Sequence, residues 1–362
     1  MAGAPLLDVL ERDPHSALRE LREREGPVAW VPALGAWLVL ERARALEVMR
    51  DDATFTVQDE RFTTGRVVGP SMLTLDGAEH ARHRAPFARR FRRAAVLERF
   101  TPLVEDEAAR LAAGLSSGDD ARRGFAGPLA AAIVTHALGL QDVGVERVLG
   151  WYDAIVAAVT DLTAGRPMPR SGTEGFAALR EALLANGAPD DEWVSNAAVL
   201  LFGGIETTEG MIANALWHLL TNPDQLALVR AEPELLANAV EESLRLEPAA
   251  ATIDRYATRD AAPIGTGDLV SVSIAAANRD PAVFEDPDRF DVRRANAKLH
   301  LAFAHGPHVC IGMHLARLEA HVALRVLLAR GPRLVDPEEA APRGLVFRKP
   351  PALRVVFEDA HA

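Results

Sequence analysis

The chain has 362 residues, 49% of them hydrophobic, a formal net charge of −11 and one cysteine. That length admits one large domain or two ordinary ones, with enough apolar residues for a sizeable core. A lone cysteine excludes an internal disulfide and fits a reducing cytoplasm, and the acidic balance argues against nucleic acid as a partner.

The N-terminal stretch "MAGAPLLDVLERDPHSALRE" is broken by Asp8, Glu11 and Arg12 and has no signal-peptide apolar region. The longest apolar runs, such as Ala197 to Ile205, are about half of what a membrane span needs. A cytoplasmic protein with no membrane partner is therefore expected. Val28 to Leu40 reads as two short strands around a turn at Gly35. "TTGRVVGPSM" follows as a loop. Ala81 to Phe100 is a strongly basic segment within an otherwise acidic chain. Helical patterns rich in Ala, Leu, Arg and Glu dominate from Glu79 to about Leu246. They break at "SSGDD" and again from Thr163 to Gly175, which reads as a mobile loop between two helices. From Thr252 onward short β-like runs such as "DLVSVSI" alternate with Pro/Asp turns. A last helix, Gly312 to Leu328, precedes a β-rich tail. There is no internal repeat, low-complexity tract or linker. The expected architecture is one mainly α domain spanning 1–362, with smaller β-rich parts near 27–41, 252–275 and 333–357.

Trp193 to Leu220 is apolar almost all round, as a core helix should be. Its centre breaks that rule. Gly203 and Gly204 each cost roughly 1 kcal/mol relative to Ala in a helix interior. Glu206 and Thr207 follow, and a buried carboxylate needs a partner or a shifted pKa. One reading is a kinked core helix whose polar groups satisfy local backbone. The other is a site in which the glycines open space and the Glu–Thr pair handles protons. Further on, the segment "PELLANAVEESLRLEPAA" starts a helix at Pro233 and ends it before Pro248. Glu242 and Arg245 share a face of it, an arrangement common on solvated helices.

The single cysteine, Cys310, lies in "HGPHVCIG" just before the last helix. Gly306 and Gly312 permit tight turns and close backbone approach. A helix N-terminus favours a thiolate. Such a thiolate suits a nucleophile with His305, His308 or His314 as base, and equally an axial ligand on iron.

Together these segments resemble the cytochrome P450 family. "FAHGPHVCIG" (Phe303 to Gly312) looks like its haem-binding loop, F-x-x-G-x-x-x-C-x-G. "GGIETT" resembles its oxygen-activating helix and "ESLR" its E-x-x-R helix. "LDGAEHARHR" (Leu75 to Arg84) resembles its haem-flanking helix, and "AAANRDPAVFEDPDRFDVRR" the meander before the cysteine loop. The resemblance implies the cytochrome P450 fold and haem b, with Cys310 as the axial iron ligand. Phe303, Gly312 and Gly203 would lie against the haem. His80, Arg84, Arg255 and His308 would hold its propionates. Glu206 and Thr207 would guide protons to dioxygen. Glu242, Arg245 and Arg294 would form a structural charge triad. The loop departs from the family by having Ala304 where glycine is usual. The pair has Glu206 where aspartate is commoner. The stretch between "SSGDD" and Trp193 is short for the family, which implies abbreviated lid helices and an open pocket.

The implied reaction inserts one atom of dioxygen into a small hydrophobic substrate. For substrate contacts the resemblance nominates Val67, Met72, Leu73, Val199, Phe202 and Gly203. It adds Ala251, Thr252 and Val346 from the later segments. Arg166 or Arg170 in the lid would favour an anionic group. Electrons would come from a separate ferredoxin and its reductase, because too little chain follows the haem loop for a fused donor. The basic patch of Arg82, Arg89, Arg90, Arg92 and Arg93, beside Arg84, would dock that donor, and the protein would be a monomer. Peroxide-driven or oxidative-coupling chemistry, a non-catalytic haem sensor and a cysteine hydrolase are the alternatives.

Overall fold

The computed structural model describes residues 3–163 and 165–358. Two helices open the chain, α1 (Gly3–Arg12) and α2 (His15–Glu25). Strands β1 (Val28–Val31) and β2 (Ala36–Val39) follow, joined through Gly35 at a positive φ of 59°. Next come α3 (Arg42–Arg50), β3 (Phe55–Thr56), α4 (Thr63–Val68) and α5 (Gly77–Ala88). The helical body comprises α6 (Arg93–Gly114), α7 (Gly127–Ala137), α8 (Val145–Thr163), α9 (Arg170–Ala185) and α10 (Asp191–Thr221). After α11 (Pro223–Ala231), a 3₁₀ turn at Pro233–Leu235 leads into α12 (Leu236–Leu246). The last elements are β4 (Thr252–Ala257), β5 (Leu269–Ser273), α13 (Ile274–Ala277), α14 (Met313–Leu328), β6 (Pro332–Leu334) and β7 (Val355–Phe357).

The architecture is mainly helical with a small β region. One sheet has the order β1-β2-β5-β4-β3, with β2 and β5 parallel and the other pairs antiparallel. β6 and β7 pair separately. The long helix α10 runs through the core. Its Asp190 cap accepts a hydrogen bond from the Trp193 amide at 2.8 Å, and Pro223 starts the next helix just beyond its end. Burial nearly all round α10 follows from its apolar composition, and α7, α12 and α14 pack against it.

The lid differs from expectation. α8 and α9 are full helices of 19 and 16 residues, not abbreviated ones. α9 begins at Arg170, inside the segment read as a loop. What is short is the connection between α9 and α10, residues 186–190. The two lid helices approach closely because glycine faces alanine. A Cβ on Gly172 would sit 2.4 Å from the Ala158 methyl, and one on Gly175 2.8 Å from that of Ala154.

Candidate functional site

A cavity of about 270 Å³ lies between α10 and the loop before α14. Met72, Leu73, Val199, Gly203 and Thr207 line it on one side, and Arg84, Phe303, His308, Cys310 and Gly312 on the other. A Cβ on Gly203 would meet nothing within 4 Å, so this glycine opens the cavity. Gly204 serves a different end. Its Cβ would lie 3.0 Å from Val134, so it lets α7 approach.

The cysteine loop is shaped by backbone constraints. Gly306 has φ +76°, and a Cβ there would fall 2.4 Å from the Met49 carbonyl at the end of α3. Ala304 also has a positive φ, 57°, which explains why glycine suits this position better. The Cys310 amide donates to the Phe303 carbonyl at 2.8 Å. Cys310 lines the cavity and is exposed to it. Burial pushes the Cys310 thiol up. The amides of Gly312 and Met313 and the guanidiniums of Arg84 and Arg317 pull it the other way.

Around the cavity floor, cationic groups lack counter-ions. Arg84 is half-buried and donates to the Val309 carbonyl at 2.6 Å. Arg255 is buried, does not line the cavity, and donates to the Asp254 carbonyl at 2.8 Å. Neither forms an ion pair among the described residues. Burial lowers the pKa of both. The His308 and His80 rings meet at a tilt of 39°, with centroids 4.3 Å apart. His308 Nε2 lies 2.7 Å from Asp76, whereas the buried His80 Nε2 has no partner. Burial, then the His308 and Arg84 charges, hold His80 at about 4. A half-buried Arg84 and a buried Arg255 without ion-pair partners, an orphaned His80 ring nitrogen and a thiol open to the cavity are what an anionic, iron-bearing ligand would satisfy. These residues fit haem.

The Glu–Thr pair is split. Thr207 lines the cavity, its hydroxyl donating back to the Gly203 carbonyl at 2.6 Å. Glu206 does not line it. Its carboxylate accepts from the Tyr152 hydroxyl and lies 2.8 Å from Lys349 Nζ. Lys349 also reaches Glu209 at 2.5 Å, and Glu209 accepts from Arg122 at 2.9 Å. Burial, then the charge of Glu206, pushes the Tyr152 hydroxyl pKa up. Sequence reasoning missed Tyr152, Arg122, Glu209 and Lys349. The one signal available was Lys349 itself, one of two lysines in an arginine-rich chain.

Glu242, Arg245 and Arg294 come together as a buried cluster. Arg245 donates to both Glu242 oxygens at 2.7 and 2.8 Å, and Arg294 Nε donates at 2.9 Å. The remaining Arg245 donors reach the carbonyls of Asn278, Pro287 and Arg289, so all five are used.

Several expected contacts lie elsewhere. Val67 is buried and does not line the cavity. Phe202 turns to Phe347, 5.5 Å away in an edge arrangement. Ala251 and Thr252 face a separate small pocket beside Leu10 and Leu38, while Ala249, Ala250 and Ile253 line the main cavity. The strand's alternation puts Ile253 on the face opposite to Thr252. Val346 is exposed. The lid arginines pair locally on the surface, Arg166 with Asp161 and Arg170 with Glu174, both at 2.6 Å. In the basic segment Arg89, Arg90, Arg92 and Arg93 are exposed and form no ion pair among the described residues. Arg82 is different, paired with Glu79 at 2.7 Å and also with Glu192, which removes it from the free patch.

The histidines do not support a hydrolase. His305 lies 3.0 Å from Arg50 and His308 is held by Asp76. No histidine hydrogen-bonds Cys310 among the described residues.

A thiol facing a cavity across from a glycine-softened helix fits a haem-thiolate protein, and comparison with known proteins shows the family. The family model "Cytochrome P450" matches residues 177–343. The chain is 34% identical to cytochrome P450 monooxygenase PikC of Streptomyces venezuelae, over 98% of this chain and 93% of that one. It is 32% identical to the vitamin D(3) 25-hydroxylase of Pseudonocardia autotrophica, over 89% and 87%. Among solved structures, cytochrome P450 CYP109Q5 from Chondromyces apiculatus superposes with a TM-score of 0.85 at 30% identity, covering 98% of this chain and 97% of that one. P450BioI, solved with a hexadec-9Z-enoic acid ligated acyl carrier protein, gives 0.83 at 28% identity, covering 97% and 100%. The chain belongs to the cytochrome P450 family, of the bacterial type. It is accordingly a monooxygenase whose cofactor is a cysteine-ligated haem iron. Among the described residues no helix is long and apolar enough to cross a membrane.

Proposed function

We propose that this protein inserts one atom of dioxygen into a small, uncharged, hydrophobic molecule, with Cys310 as the axial ligand of its haem. The observation that carries the reading is Cys310 open to the same cavity that Thr207 and Gly203 line. Bound haem supplies the activation of dioxygen. The chain supplies the rest. Arg84, Arg255, His308 and His80 would hold the haem propionates, which accounts for one half-buried and one buried guanidinium without an ion-pair partner among the described residues. Thr207 holds a proton-carrying hydroxyl at the cavity wall. Glu206 stands one residue behind it, and its turn toward the cavity would connect that hydroxyl to solvent. An apolar wall of Met72, Leu73, Val199, Ala249, Ala250 and Ile253 excludes water and selects an apolar substrate.

Electrons would arrive from a small acidic ferredoxin docking on Arg89, Arg90, Arg92 and Arg93, reduced in turn by its reductase. A monomer in a reducing cytoplasm suits the one unpaired cysteine. The test is spectroscopic. Purified protein should bind haem, and the reduced, CO-bound form should absorb at the position of thiolate ligation. Cys310→Ser should abolish that band; a band unchanged by the substitution would refute the reading. Arg89→Glu with Arg92→Glu should slow reduction by ferredoxin and spare substrate binding. Unchanged reduction kinetics would remove the docking assignment alone.

A further inference from the structure

Phe303 lines the cavity and its carbonyl receives the Cys310 amide, so it is the aromatic side chain most directly tied to the cysteine loop. Its ring is covered. The guanidinium carbon of Arg317, from the first turns of α14, lies 4.4 Å from the ring centroid. That stack is held in place by a carboxylate. Arg317 donates Nε and Nη2 to the two oxygens of Glu241 at 2.6 and 2.9 Å, a bidentate clamp. Glu241 sits on α12, is buried, and is distinct from its neighbour Glu242, which serves Arg245 and Arg294.

A third group completes the cluster. His300 lies 3.1 Å from Glu241 through Nε2, and its Nδ1 accepts from the Ala302 amide at 3.1 Å. The ring's hydrogen is therefore on Nε2, pointing at the carboxylate. The His300 ring is also 5.8 Å from that of Phe303. Burial works to raise the Glu241 pKa, but the hydrogen bonds of His300 and Arg317 prevail and hold it at about 2. Glu241 is ionised, and the guanidinium is pinned between it and the ring.

Arg317 is the member of the pair that meets the Phe303 ring, and Glu241 holds it from the α12 side. The clamp directs a positive end toward Phe303 and the cysteine loop, with its negative end turned toward α12.

We propose that Arg317 is a positioning residue for the thiolate centre: clamped by Glu241, it braces Phe303 against the cysteine loop and sets a positive charge behind the sulfur that raises the reduction potential of the bound iron. The inference rests on Cys310 being the iron ligand. A positive charge near the centre favours the state that holds one more electron. The two ends of the clamp therefore act with opposite signs.

That opposition gives the test. The potential of the haem-loaded protein is measured by spectroelectrochemical titration for the native chain, Arg317→Gln, Arg317→Lys and Glu241→Gln. Arg317→Gln should lower the ferrous share at a fixed applied potential by roughly threefold, about 28 mV at 59 mV per tenfold for one electron. Arg317→Lys, which keeps the charge, should move it less. Glu241→Gln should move it upward. Both clamp variants shifting the same way, or neither shifting, would show a brace with no electrostatic role and overturn the proposal. If Arg317→Gln does not fold, the upward shift of Glu241→Gln still decides, and a downward or absent shift there overturns it. The CO spectrum of the native protein separates this from the underlying reading. A thiolate band with unmoved potentials sinks only the role of Arg317; no thiolate band sinks the ligand assignment itself.

Discussion

Lys349, from the C-terminal segment, lies 2.8 Å from Glu206 at the middle of α10, although the two are 143 positions apart in sequence. The same ammonium reaches Glu209, so one cation serves two carboxylates one turn apart. Lys349→Met leaves Glu209 with Arg122 and Glu206 with the Tyr152 hydroxyl. The network is mostly buried, so the loss should be about 1–3 kcal/mol by urea denaturation. With its cation gone, Glu206 should reorient, and the fraction of electrons lost as hydrogen peroxide during turnover should change. Glu206→Gln is the control. A change in that variant without one in Lys349→Met would mean that the lysine only stabilises the fold.

Ala304 occupies a backbone region that disfavours a side chain, with φ 57°. Ala304→Gly should relieve that strain and stabilise the protein by about 0.5–1 kcal/mol, after the extra freedom of glycine in the unfolded chain is counted. The melting temperature should rise by about 1–2 °C. A fall would mean that the methyl group packs usefully against the neighbouring cluster of Met49 and Val48.

Gly172 and Ala158 leave no room for a further methyl group, the added Cβ falling 2.4 Å from that of Ala158. Gly172→Ala should force α8 and α9 apart and cost about 1–3 kcal/mol. Because these helices form the lid, substrate dissociation read by spin-state shift should quicken. Adding Ala158→Gly should restore both stability and dissociation rate. A double variant no better than the single one would place the strain elsewhere.

His218 is fully buried, 2.9 Å from the Ser243 hydroxyl and stacked on Phe290 with centroids 5.0 Å apart. Burial lowers its pKa from 6.5 to about 3, with smaller influences from Glu247, Arg279, His15 and Arg245. The imidazole is therefore neutral in the fold and protonates first in the unfolded chain. Its stability contribution is full above pH 6.5, and it is lost progressively as pH falls toward about 3. His218→Gln should be less stable at neutral pH and show a flatter acid limb when urea midpoints are plotted against pH. Parallel limbs would assign the acid sensitivity to other groups.

What could be read from the residues alone was what local spacing encodes. Glu242 and Arg245 stand three apart on one helix, and Cys310 sits between two glycines at a helix start, so each carried its own signature. The contacts to Tyr152 and Lys349 did not, because they join segments 54 and 143 positions from Glu206 and Glu206's reach is set by tertiary packing. Of the nominated substrate contacts, Met72, Leu73, Val199 and Gly203 line the cavity, whereas near the start of β4 the cavity takes Ala250 and Ile253 and leaves Ala251 and Thr252 to the pocket beside Leu10, a choice made by tertiary packing rather than by local spacing. The local partners of the lid arginines, four and five residues away, were within reach of the spacing alone.

Arg348 has consequences for how this chain is made. Its guanidinium donates to the carbonyls of Glu11, Arg12, Pro342 and Gly344 and pairs with the buried Glu247, so the first helix and the closing segment are held by one side chain. The strands β1 and β2 likewise need β5, more than two hundred residues later, to complete their sheet. A ribosome must therefore finish almost the whole protein before its opening forty residues can complete their packing, and until then their apolar faces lack these neighbours.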